Sequence, residues 1–177
     1  SPCGEYVFLI GSARRASQLE AGHIDESGRD NAVMNHVMMC RCEDGTFVRS
    51  FRAFDEDICD LAWVEERLVT SSTQKVSAWD GVSLQERWEA EDHGYICFCE
   101  EDNRLYLYDP EWGTLVALDV ETGERLFEPF YVHHAELLVQ GFFSLEGTLV
   151  AVGEQGLFLI EKEPLSLCES YNRRLFV

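Results

Sequence analysis

An all-β architecture of short antiparallel strands follows from three features of the sequence. Leu115–Phe127 reads strand, polar turn, strand, with Asp119-Val-Glu-Thr-Gly123 set between two apolar runs, the local pattern of a hairpin. The pattern returns 39 residues earlier: Ala78-Trp79-Asp80 falls on Ala117-Leu118-Asp119, Trp88 falls on Phe127, and two repeats back Gly45 falls under Gly123. Strand-length apolar runs also recur at even spacing, broken by Gly, Asp, Asn and Pro, with no helical stretch of convincing length between them. A repeat near 40 residues made of short strands is the mark of a β-propeller blade. Four-stranded antiparallel blades, about four of them, are therefore expected.

Taken in order, Glu5–Ile10 ends at Gly11 and predicts a strand. Ser12–Asn31 is polar and without sustained period, and predicts a long loop; loops beyond about 12–15 residues are uncommon in compact domains and are often functional. Asn35–Cys42 and Thr46–Phe51 predict a hairpin. Ile58–Trp63, Arg67–Ser71, Lys75–Trp79 and Leu84–Trp88 make the next blade, and Tyr95–Cys99, Arg104–Tyr108, Thr114–Leu118 and Arg125–Phe130 the one after. Leu137–Phe143, Thr148–Val152, Leu157–Ile160 and Leu165–Leu167 make the last. The blades span approximately residues 1–51, 58–90, 94–130 and 136–171 of one domain. The first blade lacks its innermost strand, which the tail Arg173–Val177 is placed to supply, closing a ring and protecting its edges. Two arrangements fit: a small closed ring of four blades, or part of a larger ring, which the start at Ser1 rather than Met keeps open.

Charge narrows the function. Lys and Arg total 14 against 33 Asp and Glu, for a net charge of −19. So acidic a chain is a poor direct ligand for nucleic acid or anionic membrane and a good one for a basic partner protein, or is simply well solvated. No apolar run approaches the ~20 residues of a membrane span. The seven cysteines are odd in number, and Cys40, Cys42, Cys97 and Cys99 sit inside strand-like runs. Reduced, buried thiols in a cytoplasmic protein are expected from this placement.

Two repeat families resemble these blades. Ala78-Trp79-Asp80 resembles the Trp-Asp ending of WD-repeat blades, and Ala117-Leu-Asp-Val-Glu-Thr-Gly-Glu-Arg-Leu-Phe127 resembles the hairpin of PQQ-like (quinoprotein-type) propeller repeats. Both resemblances imply four-stranded blades around an axis, and they cover most of Ile58–Ile160. The chain lacks the Gly-His pair of WD repeats, and Phe127 stands where the PQQ-like repeat prefers Trp. The matching residues are the blade's structural hairpin, so no quinone or other cofactor is expected from them.

In a meander, successive connections alternate between the two ends of a sheet. Strand parity therefore places the blade links Arg52–Asp57, Glu89–Gly94 and Tyr131–Glu136 on one face with the loops Ser12–Ala32, Ser72–Gln74, Asp109–Gly113 and Gly153–Gly156. Loops on a rigid scaffold are where binding concentrates. The expected partner-binding residues are Trp112, Asp55, Glu56, Asp57, Glu91, Asp92, His93, His133 and His134, with Trp112 as the apolar anchor. Arg14-Arg15-Ala16-Ser17 fits the pattern of basophilic kinases and makes Ser17 a candidate phosphosite. Trp63, Trp79 and Trp88 lie in strands and are expected in packing, while Asp80 and Asp119 are placed to cap the turn into each fourth strand.

Metal and catalysis are the weaker readings. A one-residue spacer in Cys40-Arg-Cys42 and Cys97-Phe-Cys99 wraps zinc poorly, and buried packing is preferred. Cys3 and Cys168, near opposite ends, could clasp a four-blade ring in an oxidising compartment. Neither a helical His-x-x-x-His, a nucleophile elbow nor a phosphate-binding glycine loop is present. The expectation is a non-catalytic interaction scaffold or adaptor, with a place in a larger complex. The alternative is an enzyme or a small-ligand or metal binder using His93, His133 or His134 with Asp55 or Asp57 on the same face.

Overall fold

Short turns between alternating apolar runs leave each strand one ready neighbour, the next strand in sequence, and the sheets are accordingly antiparallel meanders. The computed structural model describes residues 4–20, 33–132, 139–153, 156–160 and 162. Two units, Ser1–Gly94 and Tyr95–Val177, carry two sheets each. In the first unit, β1 (Tyr6–Gly11), β2 (His36–Arg41) and β3 (Phe47–Arg52) form a three-stranded sheet, and α1 (Ala13–Glu20) lies between β1 and β2. A four-stranded sheet follows: β4 (Ile58–Val64), β5 (Arg67–Ser72), β6 (Val76–Asp80) and β7 (Glu86–Ala90). The second unit holds β8 (Tyr95–Cys99), β9 (Arg104–Asp109), β10 (Thr114–Asp119) and β11 (Phe130–Tyr131) in one sheet. The other sheet is β12 (Val139–Leu145), β13 (Thr148–Gly153) and β14 (Gly156–Ile160).

The 39-residue repeat is visible as one recurring turn. Asp80 Oδ1 accepts from Val82 N (3.1 Å), Ser83 N (2.7 Å) and Ser83 Oγ (2.9 Å). Asp119 Oδ1 accepts from Glu121 N (2.9 Å), Thr122 N (2.9 Å) and Thr122 Oγ1 (3.1 Å) in the same way. Each hydroxyl then accepts from the residue two further on, Gln85 N at 3.3 Å and Glu124 N at 3.2 Å. In the first sheet Asp44 fills the hydroxyl position and takes Thr46 N at 2.9 Å. The next residue is left-handed in all three turns: Gly45, Leu84 and Gly123, with φ of 70°, 57° and 72°. The capping role expected of Asp80 and Asp119 is the one they perform.

The sheets of each unit pack face to face. In the first, Phe8 of β1 stacks on Trp63 of β4 (centroids 5.4 Å apart) and Phe51 of β3 meets Trp79 of β6 at 4.7 Å, around buried Val37, Phe54, Ile58 and Leu68. The Trp79 indole donates to Thr70 Oγ1 at 2.9 Å, so its buried N–H is satisfied. In the second, Tyr106, Tyr108, Leu115 and Ala117 of one sheet bury against Phe142, Leu149, Ala151 and Ile160 of the other.

Three expectations are corrected. Ser12–Asn31 is not loop throughout: Ser12 stands at the N-cap, its carbonyl accepts Ala16 N at 3.0 Å, and α1 runs for eight residues with Ala16 buried. The fourth strand expected at Arg125–Phe130 is broken. Arg125 bridges Leu118, then the chain leaves the ladder before β11, and Pro129 in that gap has no N–H to donate. Cys42 is exposed rather than buried, because β2 ends at Arg41 and Cys42 opens the turn. The proposed strands at Leu165–Leu167 and Arg173–Val177, and the Cys3–Cys168 clasp, lie outside the described residues.

Candidate functional site

Backbone ties draw the connections of the first unit to one end of its sheets. Ala53 N donates to Asn35 O (2.9 Å), Ile58 N to Met34 O (2.9 Å) and Asn35 Nδ2 to Phe54 O (3.1 Å), joining the chain before β2 to the β3–β4 link. Ser72 Oγ, at the end of β5, donates to Glu56 Oε1 at 2.7 Å and accepts from Lys75 N at 3.0 Å. Lys75 Nζ pairs with Glu89 at 2.6 Å, and Gly94 N donates to Ser71 Oγ at 3.1 Å. The pairing with Glu89 also raises the Lys75 pKa. These ties frame an open cleft of about 370 Å³, lined by Arg52, Phe54, Asp55, Glu56, Lys75 and Glu89 among others.

The acids predicted for this rim divide by environment. Asp55 is exposed and pairs with Arg52 at 2.5 Å, and Glu91 is exposed. Glu56 is half-buried and holds Ser72, while Asp57 accepts the Met34 N–H, so both brace the link as well as charge it. Asp92 is buried, which removes its carboxylate from the surface, and His93 is half-buried. Arg52 and Glu89, the first residues of two of the links placed on this face, line the cleft, and Lys75, just before β6, is the residue it adds.

Trp112 belongs to the second unit, on the β9–β10 turn of its own sheet. Asp109, itself buried, shapes that turn by accepting Glu111 N (2.8 Å) and Trp112 N (3.2 Å), and Gly113 closes it at φ 63°. The indole is 60% exposed, so it does not pack back over its blade. Ser17 is exposed on α1. His133 and His134 lie outside the described residues.

A second polar cluster has no counterpart in the sequence reading. Lys162 Nζ donates to Asp102 Oδ2 (2.7 Å) and to Cys99 Sγ (2.9 Å), and the Tyr106 hydroxyl donates to the same Oδ2 at 2.8 Å. Burial works against the Asp102 charge, but the hydrogen bonds from Lys162 and Tyr106 outweigh it and hold the carboxyl below its usual range. Burial likewise opposes the Lys162 charge, and Asp102 outweighs it, so the ammonium holds its proton more tightly than usual. Burial, then the bond to Asp102, pushes Tyr106 up to about 12, and burial pushes Cys97 up to about 12. The Lys162 ammonium, bonded to Asp102 and to the Cys99 sulfur, ties the β8–β9 turn to the chain after β14. Lys162 and Asp102 lie 60 residues apart in sequence, beyond the reach of any motif. Among the described residues no three His, Cys, Asp or Glu side chains converge as metal ligands, and no helix is long and apolar enough to cross a membrane.

No known protein family matches the chain, and no curated protein sequence does. Solved structures do. BamB from Moraxella catarrhalis superposes with a TM-score of 0.58 at 11% identity, over 74% of this chain and 43% of BamB. The computationally designed Ika8 superposes at 0.57 and 16% identity, over 73% of this chain and 40% of that one. The designed Ika4 superposes at 0.55 and 17% identity, over 73% of this chain and 82% of Ika4. The chain thus matches less than half the length of BamB and of Ika8. Together with the four antiparallel sheets, these likenesses show the fold: this is a β-propeller protein.

Proposed function

We propose that the protein is a non-catalytic interaction scaffold, intracellular, whose acidic rim receives a partner protein through a basic segment, with Trp112 adding apolar contact. One observation carries this reading: exposed Asp55, Asp57 and Glu91 stand on links held by backbone and side-chain hydrogen bonds, in a chain of net charge −19. A charged surface on short, tied links keeps its geometry while free, so little ordering cost is met on binding. Charge of this sign raises the encounter rate with basic surfaces more than the final affinity. The blades fit the PQQ-like repeat better than the WD repeat, since the turns at Asp80 and Asp119 make the same contacts although only one follows Trp.

Affinity capture from the source organism, at low and at physiological salt with bound proteins identified by mass, tests the proposal. A recurrent basic protein that leaves as salt rises supports it; no specific protein at either salt overturns it. The 370 Å³ cleft supports a second reading, a small-ligand or metal site beside Asp55 and Glu56. Stoichiometric metal in protein purified without added metal would favour that alternative.

A further inference from the structure

The polar cluster of the second unit holds one contact that an ion pair does not need. Lys162 Nζ stands 2.9 Å from Cys99 Sγ, although Asp102 Oδ2 at 2.7 Å already balances its charge. Three partners fix the ammonium there: the Asp102 carboxylate, the Cys99 sulfur and the face of the Tyr106 ring, 5.7 Å away at its centroid. The Cys99 thiol also has a proton acceptor, since it donates to Glu101 Oε2 at 3.3 Å. A thiol set between a carboxylate and an ammonium can pass its proton to the one and have its thiolate stabilised by the other. Cys97, two residues along β8, is instead held neutral by burial. It is a poor disulfide partner for Cys99, because an extended strand sets their Cα atoms about 6.6 Å apart, near the limit of disulfide reach. Asp102 supplies the last part. Its Oδ2 accepts from both Lys162 and Tyr106, while its buried Oδ1 has no hydrogen-bond partner among the described residues. A carboxylate with an open lone pair is the acceptor needed when an ammonium gives up a proton.

We propose that Cys99 and Lys162 form a reversible covalent cross-link through one oxygen, sulfur–oxygen–nitrogen, when the protein meets hydrogen peroxide. In the first step peroxide oxidises the Cys99 thiol to sulfenic acid and leaves as water. In the second, the Lys162 ammonium passes a proton to Asp102, and the free amine and the sulfenic acid react with a second peroxide. The nitrogen–oxygen bond forms, the nitrogen loses two electrons as the sulfur did before it, and two waters leave. Thiol, amine and two peroxides thus give the bridge and three waters. Asp102 holds the Lys162 proton tightly, so the second step is the slow one. Geometry selects this product over a direct sulfur–nitrogen bond. Nuclei 2.9 Å apart are far beyond bonding distance, but they stand close to where the two ends of a one-oxygen bridge must stand. Small, uncharged peroxide is also the oxidant that suits the site: Cys99 is buried, and the Lys162 and Asp102 side chains beside it are 23% and 25% exposed. The bridge converts the tie between the β8–β9 turn and the chain after β14 into a covalent one, across 63 residues of sequence. A cross-link of that span removes freedom from the unfolded chain, as a disulfide does.

Peptide mass mapping of the purified native chain, before and during exposure to hydrogen peroxide, tests the proposal. The expected species is a cross-linked pair of peptides carrying Cys99 and Lys162, heavier than their sum by one oxygen and lighter by two hydrogens. Its yield should grow with time. Dithiothreitol should return the free thiol and amine, with one water released. The urea midpoint of unfolding should rise as the cross-link forms and fall back on reduction. Lys162→Arg keeps a charge opposite Asp102 but offers no primary amine. It should lose both the cross-link and the midpoint shift, and Cys99 should go on to sulfinic acid instead. Cys97→Ala should keep the cross-link. Peroxide that leaves Lys162 unmodified in the native chain overturns the inference, as does a pair joined without the oxygen or a bridge to Lys162 from another cysteine.

Discussion

At the scale of the residue, Gly81 shows how closely the first unit is fitted. A Cβ there would lie 2.4 Å from the Trp63 ring and 2.6 Å from the Glu66 carbonyl oxygen. Trp63 is stacked on Phe8 and Gly81 N is bonded to Glu66 O at 3.0 Å, so neither neighbour can withdraw freely. Gly81→Ala should therefore lower unfolding free energy by about 1–3 kcal/mol in urea titrations, the range for overpacking. An unchanged midpoint would mean that the blade contact is looser than described. Asp80 makes a second residue-level prediction. Hydrogen bonds from the Ser83 N–H first, then from Arg87 and the Ser83 hydroxyl, hold its carboxyl far below the usual range. The folded pKa is depressed, so the stabilisation is present above the unfolded value of about 3.9 and is lost as pH falls through the folded one. Denaturation midpoints should fall with acid below about pH 4. Asp80→Asn, which keeps an acceptor oxygen but no charge, should fall less steeply. Parallel slopes would place the acid sensitivity elsewhere.

At the scale of the element, the β9–β10 turn separates structure from function. Its shape comes from Asp109 and Gly113, and its exposed tip from Trp112. Trp112→Ala should leave stability within about 0.5 kcal/mol, as for most surface changes, while weakening partner binding by at least ~1 kcal/mol. Unaltered affinity would remove Trp112 as the anchor. Elements were legible wherever period and turn chemistry agreed. β8 coincides with its predicted span, and β4, β5, β9 and β10 differ from theirs by one residue at the C-terminal end. α1 was illegible because its eight residues, mostly polar, are too few to display a sustained helical period. β11 was overextended because Leu126 and Phe127 after Arg125 read as a further apolar run, while the ladder is interrupted ahead of Phe130. The tie from Lys162 to Asp102 and Cys99 was invisible, since only the folded register brings them together.

At the scale of the whole molecule, the repeat encodes the architecture, and the proposed mode of action rests on the charge. The 39-residue period made the blades readable because two copies solve the same turn problem with the same carboxylate and hydroxyl, Asp80 with Ser83 and Asp119 with Thr122, and the first copy keeps the left-handed residue that follows. The rim was readable only as a set of connections at one end of a meander. Which of its acids face solvent is a matter of tertiary contacts: Asp92 is buried, while Asp55, Asp57 and Glu91 are exposed, Asp55 paired with Arg52 and Asp57 accepting the Met34 N–H. The claim that matters most is that these exposed acids attract the partner. It is tested most directly by the association rate of the captured partner, measured against salt for the native chain and for Asp55→Asn with Glu91→Gln. The account predicts a rate that falls steeply with salt in the native chain and a flatter, slower dependence in the neutralised one. A rate that ignores salt, or that is the same for both proteins, would contradict it.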